Sequence, residues 1–113
     1  MPHFVVERTK VGSTGPNVST LSAEIHRAAV ATGVFDEKTI KVRVQEFDEA
    51  LVAGKPASFM HVTIYLIDGR DKPTKKRLAT AVHDCLRGLS PEVTSVSVDV
   101  RDLDREIYTK SQL

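Results

Sequence analysis

Alternating hydrophobic and polar residues predict four β-strands in this chain. A period of two, or a short apolar run bounded by turn residues, appears in segments 2–7, 40–44, 59–67 and 96–100. Side chains on a strand point alternately to its two faces, so this period is typical of a strand with one face buried. The first segment precedes the turn-rich stretch 11–17, which contains two glycines and one proline.

Two segments between these strands have helical spacing instead. The first helix is expected to begin at an N-cap formed by Asn17 or Ser19 and to end before Gly33. The second is expected to begin at Asp71, with Pro73 tolerated in its first turn. The apolar stripes consist of Leu21, Ile25, Ala28, Ala29 and Thr32 in the first helix, and of Leu78, Val82, Cys85, Leu86 and Leu89 in the second.

The element order predicts an α+β fold built from duplicated βαβ units. His3 corresponds to His61, and Leu21 corresponds to Leu78, when the two halves are laid on each other. We therefore expect a single domain, 1–113, with an internal repeat of 1–56 and 57–113. One βαβ unit is too small to cover its own sheet, so the two are expected to form one four-stranded mixed sheet with two helices on one face.

The sheet face opposite the helices is predicted to be partly polar. Its expected members are His3, Val5, Lys41, Arg43, Phe59, His61, Thr63, Tyr65 and Ser97. A subunit interface with charged pockets would explain this mixture, and an open, solvated face is the alternative. The polar tail from Ile107 to Leu113 is free to extend toward a neighbouring subunit.

Composition narrows the possible partners of the chain. Its 113 residues contain 16 Lys and Arg against 15 Asp and Glu, a net charge of +1, so we expect no nucleic-acid partner. Cys85 is the single cysteine, which favours a reducing cytoplasmic location. The sequence contains no apolar run of membrane-spanning length and no leader-like start, so no membrane association is expected. The chain has only six Phe and Tyr residues and no Trp, so its core is small, and oligomerisation would stabilise the fold.

Pro2 is the first candidate for chemistry. Removal of Met1 would leave a secondary amine, which acts as a general base if its pKa lies near the working pH. Burial and nearby cations lower the pKa of an amine, and Lys41, Arg43 or Arg70 can supply the charge. An inert strand start is the alternative reading of the same residue.

Three segments together resemble one family. Pro-His-Phe-Val-Val-Glu at 2–7, Ala-Thr-Gly-Val-Phe at 31–35 and Asp-Gly-Arg-Asp at 68–71 are similar to 5-carboxymethyl-2-hydroxymuconate delta-isomerases of the tautomerase superfamily. The resemblance implies a homotrimer without cofactor or metal, acting on a small di- or tricarboxylate. It implies ketonisation of a dienol such as 5-carboxymethyl-2-hydroxymuconate. Another unsaturated acid, or a non-enzymatic trimeric ligand-binding protein, is the alternative.

The resemblance also implies roles for individual residues. Pro2 matches the catalytic base, and Arg70 matches an arginine that holds a substrate carboxylate. The second family arginine falls at Lys41, so either Lys41 or Arg43, two residues further along the same strand face, is expected to replace it. Phe59, or Phe35 of another subunit, is the candidate apolar wall beside the proline. His3 and His61 are not expected to bind a metal, since no third ligand has a supporting spacing.

Overall fold

The computed structural model describes residues 1–10 and 15–113. The elements, in chain order, are β1 (His3–Thr9), α1 (Val18–Ala31), a 3-10 helix (Glu37–Thr39), β2 (Lys41–Phe47), β3 (Leu51–Val52), β4 (Lys55–Pro56), β5 (Phe59–Ile67), α2 (Lys72–Leu89) and β6 (Ser95–Leu103). The predicted turn-rich stretch 11–17 falls partly on residues 11–14, which lie outside the described residues.

The four long strands form one mixed sheet in the order β2-β1-β5-β6. β1 pairs with β2 in parallel, β5 pairs with β6 in parallel, and the central pair β1 and β5 is antiparallel. Each parallel pair belongs to one βαβ unit, with α1 or α2 as its crossover helix. The predicted α+β architecture of two βαβ units sharing one sheet is therefore confirmed.

The hydrophobic core lies between the two helices and one face of the sheet. Its strand members are the even-numbered residues of the two central strands, and its helix members come from the predicted apolar stripes. The fully buried side chains include Phe4, Val6, Val62, Ile64 and Leu66 of the sheet, and Leu21, Ile25, Leu78, Val82 and Leu86 of the helices. Burying a side chain of this kind stabilises the fold by about 1.5–3 kcal/mol.

A buried ion pair extends this core face at one end. Arg8 is only 1% exposed, its Nε donates to Glu46 Oε2 at 3.1 Å, and its Nη2 lies 3.0 Å from the same oxygen in an ion pair. Its Nη1 donates to the carbonyl of Pro16 at 2.8 Å. The parallel register places Arg8 directly beside Glu46, so the charge is neutralised within the sheet. The prediction that the first strand ends at Glu7 was wrong, because this pairing carries β1 on to Thr9.

The helix starts agree with the sequence signals. Asn17 Oδ1 accepts from Thr20 N at 2.8 Å, so Asn17 is the N-cap, whereas Ser19 lies inside α1. Asp71 Oδ1 accepts from Thr74 N at 2.9 Å, as expected for the cap of α2. Hydrogen bonding to the side chain and then to the backbone N–H of Thr74 lowers the pKa of the Asp71 carboxyl, because both favour its charged form.

Two parts of the chain are more ordered than the sequence predicts. The connector between β2 and β5 contains a hairpin of β3 and β4, whose turn residues Ala53 and Gly54 have φ of 55° and 77°. Two successive positive φ values are typical of a tight hairpin turn. The tail folds back onto its own protomer, where Gln112 Nε2 donates to Lys38 O at 2.9 Å. The expectation that the tail reaches toward a neighbouring subunit stays a prediction.

Candidate active-site cleft

The sheet topology collects four strand ends at one edge. β1 and β2 begin there, while β5 and β6, which run the other way, end there. A cleft of about 610 Å³ opens at this edge. Its wall comes from Met1, the segment 35–39 before β2, the turn 67–70 after β5, and Arg105 in the tail. Thus the chain start and two arginines share one cleft.

Arg70 is fixed in this cleft by two backbone carbonyls and one aromatic ring. Its Nη1 donates to Ile67 O at 3.2 Å, and its Nη2 donates to Val34 O at 3.3 Å. Its guanidinium carbon lies 5.5 Å from the centre of the Phe35 ring, a cation–π contact. Phe35 itself packs edge-on against the buried Phe4. The cleft therefore contains a cation held in place without a carboxylate partner among the described residues.

The terminal amine lies in the same cleft, close to Lys41. In the full chain it belongs to Met1, whose nitrogen donates to Thr39 O at 3.1 Å. Burial, followed by hydrogen bonding and charge repulsion from Lys41, lowers the pKa of this amine from 8.0 to about 5. Pro2, the next residue, is buried, and its carbonyl accepts from Lys41 N at 3.0 Å. A pKa of about 5 leaves the Met1 amine mostly neutral at pH 7.

Lys41 and Arg43, the two candidates for the second carboxylate-binding cation, have different surroundings. Lys41 Nζ donates to Thr39 O at 2.9 Å, beside the terminal amine. Arg43 does not line the cleft, because its Nη1 donates to His3 Nδ1 at 3.2 Å on the sheet face away from the helices. Within the chain, only Lys41 of this pair lies next to the chain start.

His3 links Arg43 to the tail. A guanidinium can only donate, so His3 Nδ1 accepts, and the neutral ring carries its proton on Nε2. That nitrogen donates to the Tyr108 hydroxyl at 2.8 Å. Burial, with a smaller contribution from Arg43, lowers the pKa of His3. His3 thus anchors the tail as a neutral ring.

The two candidate phenylalanines lie at opposite ends of the sheet. Phe35 lines the cleft of its own protomer. Phe59 begins β5 at the far end, where its ring lies 5.9 Å from that of Phe47. Within one chain, Phe59 is not brought together with Pro2 and Arg70.

Arg105 is the cleft residue that sequence reasoning missed. It follows β6 by two residues, and its Nε donates to Asp68 Oδ1 at 2.7 Å. A signal was present in the sequence, because an apolar residue followed by Asp and a nearby Arg ends both parallel strands, at 67–70 and at 103–105. The repeated motif indicates a shared site only once β5 is known to pair with β6, because that pairing brings the two segments to the same edge of the sheet.

The described part of the chain holds no cluster of three metal-ligating side chains. His61 is hydrogen-bonded to Ser97 Oγ at 2.7 Å and to Thr63 Oγ1 at 3.1 Å. Among residues 1–10 and 15–113, no helix is both long and apolar enough to cross a membrane.

The chain is similar in sequence to one protein family and in structure to several solved proteins. The model of the 5-carboxymethyl-2-hydroxymuconate isomerase family matches residues 2–111. A search of curated proteins finds no significant match. A 5-carboxymethyl-2-hydroxymuconate isomerase from Deinococcus radiodurans R1 has a similar structure, with a TM-score of 0.85, 19% identity, and coverage of 99% of this chain and 90% of that one. A fused 4-OT symmetric trimer has a TM-score of 0.83 and 22% identity, covering 96% of this chain and 91% of that one.

Proposed function

Because the chain belongs to the 5-carboxymethyl-2-hydroxymuconate isomerase family, we propose that it is a tautomerase whose base is the amine of Pro2. Membership and fold together support an isomerase. The observation that supports the finer proposal is the position of Pro2 beside Lys41 at the edge of a cleft that contains Arg70, where the neighbouring Met1 amine has its pKa lowered to about 5. Loss of Met1 would place a secondary amine beside the same ammonium of Lys41.

The proposed reaction moves one proton across a conjugated dienol acid. The neutral Pro2 nitrogen takes the proton of the enol hydroxyl, and the electron pair moves through the diene. The resulting ammonium then delivers a proton to the far carbon, which completes the ketone and restores the neutral amine. General acid–base catalysis of this kind contributes about 10²–10⁴-fold in rate.

Arg70 has the proposed role of holding a substrate carboxylate. Its guanidinium is fixed by backbone carbonyls, so little side-chain freedom is lost when a carboxylate binds. It also stabilises the negative charge that develops on the dienolate, a role in which losing one donor costs about 10²–10³-fold. Lys41 has the proposed role of keeping the amine neutral, and Arg43 stays a second candidate for carboxylate binding. The proposed substrate is a carboxylated 2-hydroxymuconate, and 5-carboxymethyl-2-hydroxymuconate is the first compound to test.

The proposed assembly is a homotrimer. The sheet face that no helix covers carries half-buried apolar groups, including Val5 and Tyr65, which a neighbouring subunit would bury. A similar fold occurs in the 4-OT symmetric trimer. In such an assembly Phe59 of a neighbouring chain has a route to the cleft that it lacks within one chain. A cytoplasmic location stays a prediction from the single cysteine.

The test of the base uses two variants with opposite designs. Pro2→Ala leaves a primary amine, whereas insertion of one alanine between Met1 and Pro2 keeps the proline ring and converts its nitrogen into an amide. Both are expected to lower kcat for 5-carboxymethyl-2-hydroxymuconate by about 10²-fold or more, with the oligomer unchanged by light scattering. Intact mass of the wild-type protein from its native host should show loss of Met1.

Retained Met1, or undiminished turnover by both variants, would remove Pro2 from the mechanism, and absence of turnover in the wild type would favour a ligand-binding protein. Arg70→Ala is expected to lower kcat/KM for the same substrate, and an unchanged value would refute its role.

A further inference from the structure

We propose that Arg105 binds the second carboxylate of a linear dicarboxylate whose first carboxylate is held by Arg70, and so makes the cleft selective for diacids. The inference deepens the proposed function and rests on it for the identity of the site. It names a residue that is absent from the three segments carrying the family resemblance.

The sheet places the two arginines at one edge. β5 and β6 are parallel, with Ile67 paired with Leu103, so both strands end at the same level. Arg70 and Arg105 follow those paired residues by three and two positions, and both line the cleft of about 610 Å³. The same wall contains the carboxylates of Asp36 and Asp68, and Asp68 is paired with Arg105. The match to a ligand with two separated anionic groups therefore depends on the N–H donors that the two guanidiniums direct into the cleft, and not on a net positive charge.

The hydrogen bonds of Arg105 fix one edge of its guanidinium. Nε donates to Asp68 Oδ1 at 2.7 Å, and Nη2 donates to the carbonyl oxygen of the same residue. Within residues 1–10 and 15–113, Nη1 has no hydrogen-bond partner. Asp68 thus orients the group, while its other edge keeps N–H donors for a carboxylate.

The segment that carries Arg105 is itself anchored. Tyr108 N donates to Asp104 O at 3.0 Å, and the Tyr108 hydroxyl accepts from His3. Gln112 closes the tail onto Lys38. These contacts hold the tail against its own protomer, so Arg105 is presented to the cleft before any ligand binds, which reduces the entropy lost on binding.

The experiment compares two six-carbon diene acids that cannot ketonise, because neither has an enol hydroxyl. trans,trans-Muconate has a carboxylate at each end, and sorbate has one carboxylate and a methyl group. Isothermal titration calorimetry measures both dissociation constants on the full-length protein. Wild type should bind muconate at least about 10-fold more tightly than sorbate, as expected for one additional charge-assisted interaction.

Arg105→Gln should remove most of that preference, weakening muconate about 10-fold while changing sorbate less than about twofold. Arg105→Lys keeps the charge and should lose part of the preference. The matched control is Arg27→Gln, which removes an exposed arginine of α1 that does not line the cleft. Tyr108→Phe separates a loosened tail from a lost guanidinium, because it leaves Arg105 in place.

The inference is overturned if wild type does not prefer muconate, if Arg105→Gln weakens both acids equally, or if Tyr108→Phe and Arg105→Gln have the same effect. Undiminished turnover by the Pro2 variants together with intact muconate selectivity would refute the proposed reaction alone. Wild-type turnover with no change of selectivity in Arg105→Gln would refute the inference alone.

Discussion

The buried pair of Arg8 and Glu46 gives the sharpest stability prediction. In Glu46→Leu, the Arg8 guanidinium stays 1% exposed and keeps only the Pro16 carbonyl as an acceptor among the described residues. Breaking a buried ion pair from one side costs about 3–5 kcal/mol. Arg8→Met should cost less, because the Glu46 side chain is 29% exposed and can be solvated by water. Glu46→Leu is therefore expected to lower the free energy of unfolding by about 3 kcal/mol or more.

Urea denaturation at pH 7 and a fixed protomer concentration measures these changes, since assembly links stability to concentration. The matched control is Asp48→Leu, two residues further along, where Lys10 and Asp48 form an exposed pair at 2.7 Å. That variant should leave the urea midpoint nearly unchanged, because water and salt screen an exposed pair. The double variant Arg8→Met/Glu46→Leu should recover much of the loss. Equal costs for Glu46→Leu and Asp48→Leu would refute the reasoning.

Two more predictions concern the tail and the turn beneath it. The pKa of His3 in the folded state lies below its usual 6.5, so the unfolded state binds more protons as the pH falls through 6.5, and the stability of the protein should drop below that pH. In His3→Asn, urea titrations should show a smaller loss of stability between pH 7 and 5. An unchanged slope of stability against pH would contradict this prediction. Gly69 has φ of 118°, and an added Cβ would lie 2.9 Å from Arg105 Nη2, so Gly69→Ala should cost about 1–3 kcal/mol and weaken muconate binding. Gly33→Ala, with φ of 71° and open space around the added Cβ, should lower stability alone, and equal muconate binding by the two glycine variants would refute the contact.

The alternation of side chains predicted the sheet because its inner face follows a strict period of two. Phe59–Ile67 matches β5 at both ends, and the Asp71 cap was confirmed. Arg8 broke the pattern, since a charge within an apolar stripe suggests the end of a strand. Its partner Glu46 lies 38 residues away in the sequence, and only the parallel register brings the two together.

The sequence predicts the site residues that lie within a short recognisable segment, but not those that reach the cleft only through tertiary folding. Arg70 follows β5 directly, so the resemblance placed it beside the chain start, where the structure also has it. Arg105 reaches the cleft only because β6 pairs with β5 and the tail turns back, and neither fact is local. Arg43 was a candidate because it lies two residues from Lys41 on the same strand face, but its guanidinium donates a hydrogen bond to His3.

The near twofold symmetry of the sheet limits how many reactive amines one polypeptide offers. β5, the counterpart of β1, begins at the far end of the sheet. There the backbone continues from Ser58 into Phe59, whose peptide nitrogen donates to Thr9 Oγ1 at 3.3 Å. A peptide nitrogen is not basic, so the far end of the sheet lacks the basic amine that is proposed at Pro2. The sheet therefore has one amino terminus at one of its two ends, and a reagent selective for neutral amino termini should saturate at one equivalent per chain.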